Sequence, residues 1–267
     1  MTYETVNVER SEGSAVIELN RPERLNAWSL QLGLDLRAAI DEVRADESVR
    51  AVLITGAGRG FSSGADLTDS RSASDEQDAE GNFDLSARLR KRYHPIIMGI
   101  RRMPKPVVAA VNGPAAGIGC SLAMACDLVI AGESAKFILA FVNIGLVPDG
   151  GSSAFIPARV GLARATEMMM LGEKVDAPTA LDWGLVNRVV PDDQLRAEAN
   201  ALVARLAAGP TGSFAGIKEL LNRRLYTGLE EQLEAEAEAQ RRLGRSEDFA
   251  EGVTAFMQKR PANFQGR

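Results

Sequence analysis

The amino-acid sequence predicts an α/β fold, and three observations carry that expectation. Runs of β-type apolar residues alternate with segments whose apolar residues keep helical spacing. Ala51 to Thr55, AVLIT, is continuously apolar and bounded by Gly56, as in a buried strand. Pro104 to Asp127 passes from an apolar β run through a Gly-rich bend into a helix-prone segment. Strand, helix, strand, turn, strand, helix in that order describes a sheet joined by right-handed crossovers.

Taken in order, Ala15 to Leu19 is a short β run that Arg21-Pro22-Glu23 ends. Between Trp28 and Val43 the residues Leu32, Leu36, Ile40 and Val43 keep helical spacing. Residues Asp66 to Asn82 are polar, acidic, Ser-rich and without period. They predict a mobile surface loop and not a domain linker, because the core pattern resumes behind them. A helix is expected around Asp84 to Met103, kinked or split by Pro95.

Val107 to Val111 is the next β run, followed by a turn at Asn112-Gly113-Pro114. Ala115 to Gly119 carries the glycines, and Cys120 to Cys126 is small, apolar and helix-prone. After Gly161, Leu162 to Leu171 reads as a helix. Asp192 or Asp193 is expected to cap another, with Leu195, Ala199, Leu202, Val203 and Leu206 as its apolar face, and Gly209-Pro210 stops it. Leu229 to Leu243 and beyond is helical, charged and Ala-rich, with no strand left to pair. Terminal helices of that kind bury little alone, so they are expected to pack on the core or on another subunit. No internal sequence repeat is evident.

The chain of 267 residues is long enough for a large core. Its 31 basic and 36 acidic residues give a net charge of −5, which argues against a general nucleic-acid or anionic-membrane surface. Cys120 and Cys126 make neither a disulfide framework nor a metal spacing and read as reduced core thiols, so no metal is expected. Pro106 to Cys126 is nearly free of polar residues, but Asn112-Gly113-Pro114 breaks it and Ala and Gly fill it. It reads as buried core, and a soluble, cytoplasmic protein without a membrane partner is expected.

The strand, Gly-rich bend and helix start at 107–126 aim free backbone N–H groups at one point. That pattern fits an anion or oxyanion site at 116–120, and it equally fits a tight packing turn between strand and helix. Gly60-Phe61-Ser62-Ser63-Gly64 matches the G-x-S-x-G nucleophile elbow. An elbow needs a histidine base downstream, and His94, within the basic RLRKRYHPIIMGIRRM, follows it by only 32 residues. Asp149, in GLVPDGG, reads from the residues alone as a Pro148-Asp149-Gly150 turn.

The stretch PKPVVAAVNGPAAGIGCSLAMACDLVIA, with RPERLNAW at 21–28, ITGAGRGFSSGADL at 54–67, GLVPDGGSSAFIPARVG at 145–161 and EGVTAFMQKRPANFQG at 251–266, resembles the enoyl-CoA hydratase/isomerase (crotonase) family. The resemblance runs through nearly the whole chain in the family's order. It implies a spiral α/β core of repeated ββα units over residues 1–200 and a C-terminal helical trimerisation segment over 201–267. It also implies an acyl-CoA thioester as substrate, a homotrimer or dimer of trimers, and no cofactor beyond the coenzyme A of the substrate.

By the same resemblance the amides of Ala65 and Ile118, with Gly117 beside the latter, form the oxyanion hole, although the family usually has glycine where Ile118 stands. Arg24, Leu25, Ala27, Ser63, Asp66 and Leu67 match the adenine and pantetheine cradle, and Asp66 is also expected to hold its loop by hydrogen bonds. Phe256 and Lys259 match residues that reach a neighbour's coenzyme A. The two glutamates of the family's hydratases correspond to Ser121 and Phe141, which would line the substrate site but cannot act as carboxylates. Asp149 stands where the isomerase branch has its catalytic acid, so proton transfer through Asp149 is the implied chemistry. A single-acid hydration or dehalogenation, or acyl-CoA binding with little catalysis, are the alternatives.

Overall fold

The computed structural model describes residues 2–69, 77, 81 and 84–267. The expectation of a mobile loop at 66–82 therefore falls mostly outside the described residues. Among the described residues nine strands follow in chain order: β1 (Val6–Ser11), β2 (Ser14–Leu19), β3 (Ala51–Gly56), β4 (Val107–Val111), β5 (Pro114–Ala116), β6 (Leu128–Gly132), β7 (Lys136–Ile138), β8 (Lys174–Asp176) and β9 (Arg188–Val190). They make a six-stranded sheet in the order β1-β2-β3-β4-β6-β9 and a three-stranded sheet in the order β5-β7-β8. The β1–β2 pair is antiparallel, and every other pairing in the larger sheet is parallel.

The apolar continuity of β3 has its cause in this layering. Val52 and Ile54 point into the main core with Ile17, Leu19 and Leu36. Ala51 and Leu53 point to the other face, where Leu195, Ala199, Val203 and Ala207 of helix Leu195–Ala208 cover them. A strand buried on both faces has no polar side to show.

Ten α-helices among the described residues accompany the strands: α1 (Leu30–Ala45), α2 (Leu85–Arg88), α3 (His94–Arg102), α4 (Ile118–Ala125), α5 (Ser152–Leu171), α6 (Ala177–Asp182), α7 (Leu195–Ala208), α8 (Thr211–Leu225), α9 (Leu229–Leu243) and α10 (Glu247–Gln258). Ser29 caps α1 by accepting from Leu32 N at 3.1 Å, and Leu32, Leu36, Ile40 and Val43 are buried as their spacing predicts. Pro95 does split its helix. A π-turn at Leu89–Tyr93 separates α2 from α3, His94 N bonds Leu89 O, and Pro95 falls in the first turn of α3, where its missing N–H is harmless. Gly161, at φ 74° and ψ 169°, breaks α5 just before Leu162.

The expected cap of α7 is corrected. Gln194 occupies the cap position without a side-chain bond, and Asp192 instead accepts from Ser134 N at 3.0 Å, bracing the end of β6. The expected boundary at residue 200 falls inside α7, which belongs to the sheet layer. Beyond it, α8 is anchored by the buried Lys218, whose Nζ lies 2.8 Å from Asp127 and donates to Lys105 O. Helix α9 packs on α2 and α5, and α10 packs on a 3₁₀ turn at Val142–Ile144. No helix among the described residues is long and apolar enough to cross a membrane.

Candidate active site

Two loops meet at the carboxyl end of the parallel strands. Residues 61–65 follow β3, and residues 112–117 follow β4. Ser62 N donates to Pro114 O at 3.0 Å, and Ala116 N donates to Ser62 O at 2.8 Å, so the loops run side by side. Gly64 has φ 93°, and a Cβ there would stand 2.9 Å from Ala116 O. Glycine is therefore the residue this close crossing admits.

The crossing brings two amides together. Trp28 N donates to Gly64 O at 2.7 Å and Asp66 N to Trp28 O at 3.1 Å, which ties down both neighbours of Ala65. Ile118 is the first residue of α4, where an amide has no partner inside the helix. Neither the Ala65 amide nor the Ile118 amide has an acceptor among the described residues. Gly117, the residue before α4, is held by its own N–H to Ile138 O at 2.9 Å.

These amides open onto a cavity of about 570 Å³. Ser63, Ala65, Asp66, Leu67, Gly117, Ile118, Phe141, Asp149 and Phe256 all line it. Leu85, Arg88, Tyr93, Gln240 and Phe249, which no sequence motif marks, add to the wall from α2, the π-turn, α9 and α10.

Asp149 is only 5% exposed. Its Oδ1 has no hydrogen-bond partner among the described residues, and Oδ2 has one long contact, 3.5 Å from Gln240 Nε2. Burial, with the negative charge of Glu236 added, pushes the Asp149 carboxyl up to about 8, against a smaller downward pull from Arg88. The backbone under it is firmly held, since Asp149 O accepts from Ser121 Oγ at 2.7 Å and from Ser152 Oγ at 2.8 Å. Gly150 follows at φ 63°, with room for no Cβ, because one would stand 2.9 Å from Ser121 Cβ. The turn itself runs from Asp149 to Ser152, closed by Ser152 N donating to Asp149 O at 3.2 Å with Gly150 and Gly151 at its centre, so the turn expected at Pro148-Asp149-Gly150 is shifted and begins at the buried acid.

Several expected site residues stand elsewhere. Ser121 does not line the cavity; its hydroxyl is turned to the Asp149 carbonyl. Arg24, Leu25, Ala27 and Lys259 are also absent from the lining. Arg24 and Leu25 nevertheless lie against the cavity rim, since Ser63 Oγ donates to Arg24 O at 3.3 Å and Ser63 N to Leu25 O at 2.8 Å. Ala27 O accepts from Arg21, which also pairs with Asp66 at 3.0 Å. Asp66 further accepts from Thr68 N and Oγ1, and these contacts draw its carboxyl below the usual range despite partial burial. Phe256, 62% exposed, stands at the mouth of its own chain's cavity, and Lys259 ends α10 in a left-handed conformation on the surface.

The G-x-S-x-G segment is no nucleophile elbow. Ser62 is fully buried, donates to Asn26 O at 2.9 Å and accepts from Gly64 N at 3.3 Å. His94 lies outside the cavity lining, and burial draws its imidazole down to about 4. Both cysteines are free thiols within the core, pushed up to about 12 by burial.

Fold and site together define an α/β enzyme whose cavity is lined by unpartnered backbone donors and a buried carboxyl. The chain belongs to the enoyl-CoA hydratase/isomerase family, whose model matches residues 9–267. It is 45% identical over its full length, and the full length of the relative, to a "Probable enoyl-CoA hydratase" of Rhodobacter capsulatus. It is 40% identical to the 1,2-epoxyphenylacetyl-CoA isomerase of Escherichia coli, over 96% of each chain. Among solved structures, an enoyl-CoA hydratase from Mycobacterium avium subsp. paratuberculosis matches with a TM-score of 0.88 at 40% identity, over 99% of this chain and 100% of that one. The architecture is the crotonase fold with its C-terminal helical segment, and the protein is an acyl-CoA enzyme of that family.

Proposed function

We propose that this chain isomerises the double bond of an enoyl-CoA thioester, using Asp149 as its single proton carrier. The observation behind the reading is the free Oδ1 of Asp149, inside a cavity shared with the unpartnered amides of Ala65 and Ile118. The thioester oxygen accepts from the two amides. Asp149 Oδ1 takes the proton at Cα: the C–H bond breaks, an O–H bond forms, and the electron pair moves into the thioester as an enolate conjugated with the double bond. The same carboxyl then gives its proton to C4, and the electrons settle as a Cα–Cβ double bond. The sequence consumes no redox equivalent and calls for no cofactor beyond the coenzyme A of the substrate.

Each preorganised donor on the oxyanion is worth about 3–4 kcal/mol in sites of this kind. A carboxyl held near neutrality by burial both removes and returns a proton efficiently. Addition of water needs a second group to deprotonate the water while Cα is protonated. Ser121 is committed to the Asp149 carbonyl, Phe141 cannot titrate, and both oxygens of the nearby Glu236 are engaged with residues 151 and 153. The name of the Escherichia coli relative favours isomerase chemistry, and that of the Rhodobacter capsulatus relative keeps hydration as the competing reading. The apolar face of α8, with Ile217, Leu220, Leu221 and Leu225 exposed, supports association with further copies of the chain, for which we propose a trimer or a dimer of trimers.

The test is a panel of 3-enoyl-, 2-enoyl- and ring-type CoA thioesters, read by absorbance of the conjugated thioester and by mass. Isomerisation leaves the mass unchanged, and hydration adds one water. A faster hydration of 2-enoyl-CoA than isomerisation of 3-enoyl-CoA would overturn the proposal.

A further inference from the structure

Glu236 is the one glutamate of α9 on that helix's buried face, which it shares with Leu233, Ala237 and Gln240. Its Oε2 accepts from Gly151 N at 2.8 Å, and its Oε1 accepts from Ser153 N at 3.1 Å and from Ser153 Oγ. Gln232 Nε2 in turn donates to Ser153 Oγ at 2.8 Å. Gly151 and Ser153 open α5, so first-turn donors of that helix end on a carboxylate brought from 85 residues further along the chain. Gly151 is two residues from Asp149, and Gln240, one turn along α9, donates to Val147 O at 2.6 Å. Helix α9 thus grips the Asp149 loop on both sides.

The two carboxyls also act on each other through space. Neighbouring buried carboxyls do not both ionise freely, and the one with more donors takes the charge first. Glu236 accepts from three donors, and Asp149 has one contact at 3.5 Å. Burial raises Glu236 to about 7 against the pull of those three donors, still below Asp149 at about 8, so as pH rises Glu236 takes the charge first while Asp149 keeps its proton.

We propose that Glu236 is a positioning residue for Asp149: it ties the loop that bears Asp149 to α9 through the first turn of α5, and its negative charge opposes ionisation of the Asp149 carboxyl. The catalytic part rests on the reading of Asp149 as proton carrier. Other groups around the pair are Arg88 of α2, which favours the Asp149 carboxylate, and Tyr93 of the π-turn in the cavity wall. On the outer edge of α9, Glu234 and Glu238 are paired with Arg90 of the π-turn, so their charge is compensated there. The first charged side chain of α5 is Arg159, which is bonded to Cys126 O and Met124 O.

The experiment compares wild type, Glu236→Gln and Glu236→Asp by two readouts. The first is the pH profile of kcat/KM with a 3-enoyl-CoA. The second is the infrared carbonyl band of the protonated Asp149 in the substrate-free protein, assigned by its loss in Asp149→Asn. In wild type both should titrate near 8, the value to which burial and Glu236 bring Asp149. In Glu236→Gln both should move to lower pH by about one unit or more. The high-pH rate should fall by about 3–10-fold, because a weaker base remains. Glu236→Asp keeps the charge on a shorter arm, so its titration should stay within about half a unit of wild type while kcat falls as the grip loosens. An Asp149 band that titrates identically in wild type and Glu236→Gln overturns the inference. The infrared readout needs no turnover: if Asp149→Asn were fully active the functional reading would fall, and the band would still decide whether Glu236 acts on Asp149.

Discussion

Replacing Asp149 by Asn should remove activity and stabilise the protein at once, and the stabilisation should grow with pH. Asp149 has a folded-state pKa raised from 3.8 to about 8 by burial and by Glu236. Below about pH 4 the carboxyl is protonated whether the chain is folded or not, and its burial has no ionic cost. As pH rises, the unfolded chain gains stability by ionising while the folded chain holds the proton, so folding stability is lost progressively up to about pH 8. A displacement of this size corresponds to about 6 kcal/mol in full, of which about 2 kcal/mol is felt at pH 5 and about 5 kcal/mol at pH 8. The buried amide of Asn has its own desolvation cost, but that cost does not vary with pH and cancels in the comparison. Asp149→Asn should therefore gain about 3 kcal/mol more, relative to wild type, at pH 8 than at pH 5. That corresponds to roughly 6–12 °C in Tm for a chain of this size. The assay is chemical or thermal unfolding of both proteins at the two pH values and one protein concentration, beside isomerase turnover. Turnover should fall by about 10² or more with CoA-ester binding largely kept. A Tm difference that is the same at both pH values, or larger at pH 5, would refute the argument that burial holds this carboxyl protonated.

Wild-type kcat/KM should rise with pH and level off above about 8, because the carboxylate of Asp149 is the active base; a profile flat from pH 6 to 9 would contradict this. Gly150→Ala should destabilise the fold by about 2 kcal/mol or more, since a methyl group there meets Ser121 at a positive φ; urea midpoints at constant m-value measure it. Ser62→Ala should cost about 1–2 kcal/mol of stability through the lost bond to Asn26 O, yet keep turnover within about fivefold; covalent labelling of Ser62 by an organophosphate would revive a hydrolase reading. Light scattering at micromolar concentration should show a trimer or hexamer, and Leu220→Asp, on the exposed face of α8, should weaken it; a wild-type monomer would remove the assembly proposal.

Much of the architecture is decided by local chemistry that can be read along the chain. The unbroken apolar run of β3, the helical spacing from Leu32 to Val43, the proline at 95 and the glycines at 161 and 209 each act within a few residues, and the structure places strand, helix or break where they stand. Gly64 stands out only within a G-x-S-x-G pattern, and the pairing of the Ala65 and Ile118 amides comes from the family resemblance; the close crossing itself is visible only in the fold. Short strands such as β8 and β9 have no such signal, because three residues of pairing depend on the neighbouring strand more than on their own pattern. The properties that make a site out of these pieces belong to tertiary structure alone. Pro148-Asp149-Gly150 is a turn by sequence, and only the walls from α2, α4 and α9 turn its aspartate into a buried acid. Glu236 is one of five glutamates in α9, and the hint available was its place in register with Leu229, Leu233 and Gln240. Burial and charge coupling arise between groups far apart in the chain, such as Asp149 and Glu236, and no local pattern encodes that distance being closed. Sequence thus determined the long elements and their breaks, and the folded packing determined the short strands and which carboxyls are buried.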